Sequence, residues 1–175
     1  MKHYYLLASL PTLVLGEPVP FDGDELLARS ANFLGPSELD ELRRAVEGRT
    51  HEGISGFSRR WTAADTQLRN AAVRVRASKL GTEPKSYLRE HAGYDTYIEK
   101  AVADAYAKPN PLERELALDR HRWQMLEDLA KTDPFGFDGL LAWALKLGIA
   151  VRWAGLKDEA GRKRVADVLE TMGTV

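Results

Sequence analysis

The stretch that decides the fold is residues 110–131, NPLERELALDRHRWQMLEDLAK. Asn110 supplies a side-chain cap, Pro111 suits the first helical position, and Glu113 places an acid at the third. The apolar residues behind this start recur at the spacing of one helical face, at Leu116, Trp123, Leu126 and Ala130. The sequence therefore predicts an amphipathic helix that starts at Pro111 and runs to Lys131.

Helical spacing continues on both sides of this stretch. Capping residues, apolar positions three or four apart, and closing glycines or prolines mark further helices. We predict them over 22–34, 37–47, 58–80, 84–90, 96–107, 137–153 and 158–172. Only the opening residues, 1–12, read alternatively as a strand, because no other segment alternates polar and apolar residues for long. These patterns predict an all-α protein, an irregular bundle of about seven to eight helices.

Chain length and internal similarity bear on the domain organisation. A chain of 175 residues is long enough to bury a sizeable core in one domain. We predict a single helical domain over 1–175, with a sub-boundary at the proline-containing joint 108–111. The dipeptide Gly-Phe precedes two of the predicted helices, and Ala-Val-Arg falls within each, at 72–74 and 150–152. This echo leaves two related helical halves as an alternative.

Charge and cysteine content exclude several classes of protein. Lys and Arg total 25 against 26 Asp and Glu, for a net charge of −1. This balance gives no reason to expect nucleic acid or an anionic membrane as the main partner. The chain contains no cysteine, so disulfides, thiolate zinc sites and cysteine nucleophiles are excluded, and a reducing compartment fits.

The apolar opening, Tyr4–Leu15, has two interpretations. A secretion signal needs a basic start and an unbroken apolar run, whereas this chain offers Lys2 alone and is interrupted by Pro11. We expect instead that Tyr4–Leu10 is a short buried segment of a cytoplasmic protein. The run is also shorter than the about 20 apolar residues that cross a bilayer, so we expect no membrane insertion.

Residue patterns typical of catalysis or metal binding are not found. No two of the four histidines are three or four residues apart, so no helical face carries a pair of imidazole ligands. The Gly53–Gly56 loop lacks the lysine and the preceding strand of a phosphate cradle. The serines have no nucleophile-elbow context. We therefore expect no catalytic residue, no cofactor and no metal site.

Three groups of polar or aromatic residues have both a structural and a functional interpretation. Glu115 and Asp119 share a helical face, and we expect them to be solvated surface acids. Trp153, next to Arg152, either fills the core or is a partly exposed anchor for a partner. The densest positive cluster either forms a solvated helix side or binds a phosphate or an acidic protein groove; its members are Arg69, Arg74 and Arg76.

The opening Tyr4–Pro11, YYLLASLP, resembles the beginning of a family of uncharacterised bacterial proteins encoded beside subunits of V/A-type rotary ATPases. The resemblance continues through Leu68–Arg74, the helix of Trp123, and Phe137–Trp153. More distantly, the helical segments are similar to the C (d) subunit of those ATPases, the all-helical socket between the central stalk and the membrane rotor ring. In that family the opening stretch belongs to the mature protein.

This resemblance implies a non-catalytic, cytoplasmic adaptor that is peripheral to the inner membrane through the ATPase. Its protein partners would be central-stalk and rotor subunits, and nucleic acid would not be among them. The contact candidates are Arg74, Arg152 and Trp153. The alternative is an independent helical module that binds a soluble protein or a small ligand and acts in regulation. An enzyme of another type is a third class, which would require ionisable residues that converge in a deep pocket.

Overall fold

The computed structural model of the chain describes residues 2–155. Within this range the chain forms seven α-helices and no strand, so the predicted all-α fold is confirmed. The helices are α1 Lys2–Ser9, α2 Gly23–Ser30, α3 Pro36–Val46, α4 Gly56–Leu80, α5 Thr96–Tyr106, α6 Pro111–Ala130 and α7 Phe137–Ala154. The helix predicted over 158–172 lies outside the described residues. The relation between two helical halves stays a prediction.

The helix starts follow the local signals in the sequence. The Asn110 side chain accepts a hydrogen bond from the Leu112 N–H at 2.9 Å and caps α6 as predicted. At α4, the Ser55 hydroxyl caps the helix by accepting from the Ser58 N–H at 2.9 Å. At the other end of α4, Gly81 adopts a φ of +65°, a left-handed conformation that glycine reaches without strain. Local capping chemistry therefore fixes both ends of the longest helix.

Helix α7 contributes a large part of the core. It packs against α1, α2, α3, α4 and α6, and its inward side chains include the fully buried Leu140, Leu141 and Leu147. Because burial of one leucine contributes roughly 1.5–3 kcal/mol, these three side chains are a major source of stability. The other helices add the buried residues Leu6, Leu26, Leu42, Phe57, Leu68, Val102 and Leu126 to the same cluster.

The structure decides against a strand, which was the alternative for the opening residues. Residues 2–9 form α1, and Leu6 is buried in the core beside α7. Leu10 and Leu13 also pack on the core, and the carbonyl of Pro11 accepts a hydrogen bond from the Trp143 indole N–H at 3.0 Å. The opening segment is therefore a helix that buries Leu6, whereas Tyr4 and Tyr5 are exposed, so the expectation of a buried segment is confirmed only in part.

The helix predicted over 84–90 is also wrong. The chain forms only a 3₁₀ turn at Lys85–Tyr87. The buried Asn70 side chain donates to the Arg89 carbonyl at 2.7 Å and accepts from the Arg89 N–H at 3.0 Å. Both backbone groups that a helix would use at Arg89 are therefore engaged by α4.

The end of α2 and the buried face of α6 also differ from the predictions. Helix α2 ends at Ser30, whose hydroxyl donates to the Leu26 carbonyl at 2.7 Å, and turns follow to Phe33. The buried stripe of α6 is rotated from the predicted one, because Leu116 and Trp123 are only half-buried. The buried residues of α6 are Leu118, Asp119, Met125, Leu126 and Ala130.

None of the helices between residues 2 and 155 has the length and apolar character that a bilayer crossing requires.

Candidate functional site

The most unusual side chain of the buried interior is Asp119 on α6. None of its surface is exposed, so the expectation of a solvated acid is wrong. Its Oδ2 accepts hydrogen bonds from the Trp153 indole N–H at 2.7 Å and from the Arg152 guanidinium, and its Oδ1 accepts from Arg122 at 2.9 Å. Asp119 is therefore the polar link between α6 and the end of α7.

The link extends to α4 through alternating charges. The Arg122 Nε donates to the Asp65 carboxylate at 2.9 Å, and the other oxygen of Asp65 accepts from Arg69 at 2.7 Å. Five side chains thus form one chain of ion pairs, in the order Arg69, Asp65, Arg122, Asp119 and Arg152. We call these five residues the Asp119 network; it joins three helices that are distant in sequence.

Pairing keeps the network charged despite its burial. Burial alone would raise the pKa of Asp119, but the hydrogen bonds from Arg152 and Trp153 and the charges of Arg152 and Arg122 outweigh it, so the pKa lies below its ordinary value. Burial would lower the pKa of Arg122, but Asp65 and Asp119 raise it on balance. Both groups are therefore ionised at neutral pH.

The Asp119 network forms one side of a groove of about 350 Å³ between α3, α4, α6 and α7. The three arginines of the Asp119 network, Arg69, Arg122 and Arg152, line the groove together with Asp65. Its apolar surface comes from Ala45, Val46, Trp61, Leu145 and Ile149. Arg69 and Arg152 stay more than half exposed at its edge. We call this feature the arginine groove.

Gly148 on α7 also lines the arginine groove and leaves it open. A Cβ atom added at Gly148 would meet nothing within 4 Å. Glycine inside a helix is less favourable than alanine by roughly 0.5–1 kcal/mol. A helical glycine that faces open space is typical of a place where another chain or ligand approaches closely.

The structure brings two of the three predicted contact residues together. Arg152 and Trp153 meet at Asp119, and Arg152 lines the arginine groove. Arg74 lies elsewhere, where its guanidinium donates to Glu99 on α5 at 2.6 Å. Whether any of the three contacts a partner stays a prediction.

The predicted positive cluster on α4 separates into different environments. Arg69 belongs to the Asp119 network, Arg74 pairs with Glu99, and the Arg76 Nε donates to the Tyr106 hydroxyl at 2.5 Å. The sequence cannot show this division, because the partners of Arg74 and Arg76 lie 25 and 30 residues away.

A second carboxylate, Glu41 on α3, is also buried, and no sequence pattern singles it out. It accepts hydrogen bonds from the backbone N–H groups of Ile54 and Ser55 at 2.9 and 3.1 Å, and the hydroxyls of Ser55 and Ser58 also bond to it. Burial would raise its pKa, but these bonds lower the pKa from 4.5 to about 2. The loop before α4 therefore does bind an anion, and that anion is a side chain of the same protein.

An exposed aromatic patch lies at the opposite end of α7. Tyr4 contacts Tyr5 and Phe135 with ring centroids 5.9 and 5.5 Å apart, and all three side chains are more than half exposed. The two tyrosines of the opening motif therefore face solvent, whereas the following Leu6 is buried.

The described residues contain no group of three or more histidines and acids placed to hold a metal ion. The fold and the site together define an all-α protein in which a buried ion-pair network borders an open groove. By sequence, the chain belongs to the protein family of unknown function DUF2764, whose model matches residues 26–174. Searches of curated proteins and of solved structures gave no match.

Proposed function

We propose that the protein is a non-catalytic helical adaptor of a V/A-type rotary ATPase, and that it docks on the central stalk near the rotor through the arginine groove. The resemblance of Tyr4–Pro11 and of the α4 and α7 segments to proteins encoded beside that ATPase supplies the partner. The observation that carries the proposal is the arginine groove, which combines an apolar floor with two half-exposed guanidinium groups.

The composition of the groove matches a helix with an apolar face flanked by acids. Trp61, Leu145 and Ile149 offer apolar surface at the floor, and such grooves bind amphipathic helices through anchors at helical spacing. Arg69 donates through Nε and Arg152 through one Nη, so each has further N–H groups for an acid of a partner. An elongated coiled-coil stalk has faces of this kind.

The Asp119 network has a supporting role in this proposal. Asp119 and Asp65 hold the arginines by charged hydrogen bonds of 2.7–2.9 Å. Because these bonds restrict the guanidinium groups before binding, less side-chain entropy is lost when a partner docks. Arg152 would contact the stalk directly, and Trp153 would position Arg152 through Asp119. Such an adaptor works in the cytoplasm, on the cytoplasmic side of the inner membrane.

Co-purification with a blocked groove tests the proposal. The substitution Gly148→Leu places a side chain in the open part of the groove without a clash at Cβ, because nothing lies within 4 Å of that position. We expect the tagged wild-type protein to retain ATPase stalk subunits after gentle extraction and Gly148→Leu to lose them. The matched control is Ala103→Leu at an exposed position of α5, which should retain them.

Two results would contradict the proposal. If the wild-type pull-down contained no ATPase subunit, the ATPase would not be the partner. If wild type and Gly148→Leu retained the stalk subunits equally, and circular dichroism showed both proteins to be folded, the arginine groove would not be the docking surface.

A further inference from the structure

A separate pocket of about 360 Å³ lies where α4 and α5 end and α6 begins. Its apolar surface comes from Leu80, the Tyr106 ring and Pro111. Leu80 is 76% exposed, so its side chain is accessible to a ligand. The volume falls in the range of about 300–1,000 Å³ that is usual for small-ligand pockets.

Three cations surround this apolar surface: Arg76, Lys79 and Arg114. Within residues 2–155, none of them forms an ion pair with a carboxylate. Arg76 donates to the Tyr106 hydroxyl at 2.5 Å, and Lys79 donates to the Tyr106 carbonyl at 3.3 Å. Arg114 donates to the carbonyls of Lys108 and Pro109 at 2.6 and 3.0 Å. Among the described residues, these three cations are therefore held by neutral groups rather than by carboxylates.

Of the other cations of α4, Arg59 is also held by a neutral group, the Ile54 carbonyl at 2.6 Å, whereas Arg60 donates to Asp138 at 3.0 Å. Arg69 and Arg74 donate to carboxylates at 2.7 and 2.6 Å. At the pocket, the lining includes one acid, Glu115, against three cations. The pocket thus has a surplus of positive charge next to an exposed apolar surface, a combination that complements an anion with an apolar body.

We propose that this pocket binds an anionic amphiphile, a carboxylate or phosphate group attached to a short hydrocarbon chain. The anionic group lies between Arg76 and Lys79, each of which has N–H donors beyond those used on Tyr106. The hydrocarbon covers Leu80 and the Tyr106 ring. This site is independent of the arginine groove and of docking on the ATPase.

Calorimetric titration of the full chain with octyl phosphate and octanoate, each below its micelle concentration, tests the proposal. We expect saturable binding of at least one of them, binding about tenfold or more weaker for inorganic phosphate, and no binding of octyltrimethylammonium. A preference between octyl phosphate and octanoate identifies the headgroup. Glycerol phosphate, a headgroup without a chain, should behave like inorganic phosphate.

Substitutions locate the site. Arg76→Gln should weaken binding about tenfold, because the substitution removes a charged hydrogen bond to the anionic group. Leu80→Ser should bring octyl phosphate close to the affinity of inorganic phosphate. Arg74→Gln is the matched control because Arg74 is paired with Glu99, and its affinity should equal that of wild type.

Several results would overturn the assignment. They are the absence of saturable binding by both amphiphiles, equal affinity for inorganic phosphate, equal binding of octyltrimethylammonium, or an unchanged affinity in Arg76→Gln. Gly148→Leu should bind octyl phosphate as wild type does. Failure of the ATPase proposal and failure of this one can therefore be told apart.

Discussion

Glu41 and Asp119 are both buried carboxylates, but they are stabilised by different kinds of donor. Glu41 accepts from backbone N–H groups and hydroxyls of the loop before α4 and of the first turn of that helix. Arg44 lies 3.7 Å from Oε2 of Glu41 but pairs more closely with Asp40. Asp119 accepts from two arginines and a tryptophan on two helices. The neutral donors to Glu41 fix the chain just before α4. The charged donors to Asp119 connect distant helices, and Arg122 and Arg152 also line the open arginine groove.

The largest expected effect is the loss of stability at neutral pH when the Asp119 carboxylate is removed. Asp119→Ala leaves the Trp153 N–H without its acceptor and the partly buried Arg122 with Asp65 alone. Breaking a buried ion pair by removal of one partner costs about 3–5 kcal/mol. We expect a loss of this size in urea unfolding monitored by circular dichroism.

The control for this prediction is Asp104→Ala, which removes an exposed carboxylate paired with Lys100. An exposed pair contributes at most about 1 kcal/mol, so this variant should unfold almost like wild type. If Asp119→Ala were no less stable than Asp104→Ala, the Asp119 network would not hold the helices together.

The second prediction concerns pH and Glu41. Because the pKa of Glu41 falls from 4.5 to about 2 on folding, its stabilisation is present above 4.5 and is lost as pH falls toward 2. The shift corresponds to roughly 3 kcal/mol. In Glu41→Gln one of the two oxygens becomes an NH2 group, which cannot accept the hydrogen bond from the Ile54 or the Ser55 N–H that it faces. We expect Glu41→Gln to be less stable than wild type at pH 7 by about this amount.

The difference between wild type and Glu41→Gln should shrink steadily between pH 4.5 and 2, measured as the free energy of unfolding in urea. Asp119, whose pKa is also lowered, remains in both proteins and so does not contribute to the difference. A difference that is independent of pH over this range would show that folding does not lower the pKa of Glu41.

The third prediction tests a single donor of the Asp119 network. Trp153→Phe keeps an aromatic ring but removes the N–H that donates to Asp119 at 2.7 Å. Loss of a hydrogen bond to a charged group should lower stability by roughly 1–2 kcal/mol. Trp123→Phe is the control, because the Trp123 N–H donates to Glu127 at an exposed position. Similar losses in both variants would show that burial of Asp119 does not strengthen its bonds.

The sequence predicts the local features of this fold better than the site. The starts of α4, α5 and α6 carry caps within three residues of the groups that they bind, so short-range patterns reveal them. The donors to Asp119 on α7 lie 33 and 34 residues away. Within four residues, Asp119 has the ordinary pattern of a charged helix surface, and sequence spacing alone predicts exposure.

The site was predictable only in part for the same reason. Trp153 beside Arg152 suggests an anchor, and the structure does place these two residues together at the end of α7. Arg74 has an equally prominent place in the sequence but pairs with Glu99 away from the groove. The 84–90 segment fails as a helix because Asn70, far along the chain, bonds to Arg89.

The smallest expected effect is that of Gly148→Ala in the arginine groove, which we compare with Gly53→Ala beside Glu41. A Cβ at Gly148 meets nothing within 4 Å, whereas a Cβ at Gly53 would lie 2.6 Å from the Ser58 Cβ and 2.7 Å from Oε1 of Glu41. Gly148→Ala should therefore raise stability by about 0.5–1 kcal/mol through helix propensity. Gly53→Ala should instead lower it, by roughly 1–3 kcal/mol, because Ser58 or Glu41 must move. Thermal unfolding of both variants measures the contrast, and a destabilised Gly148→Ala would mean that the arginine groove is closed at this position in solution.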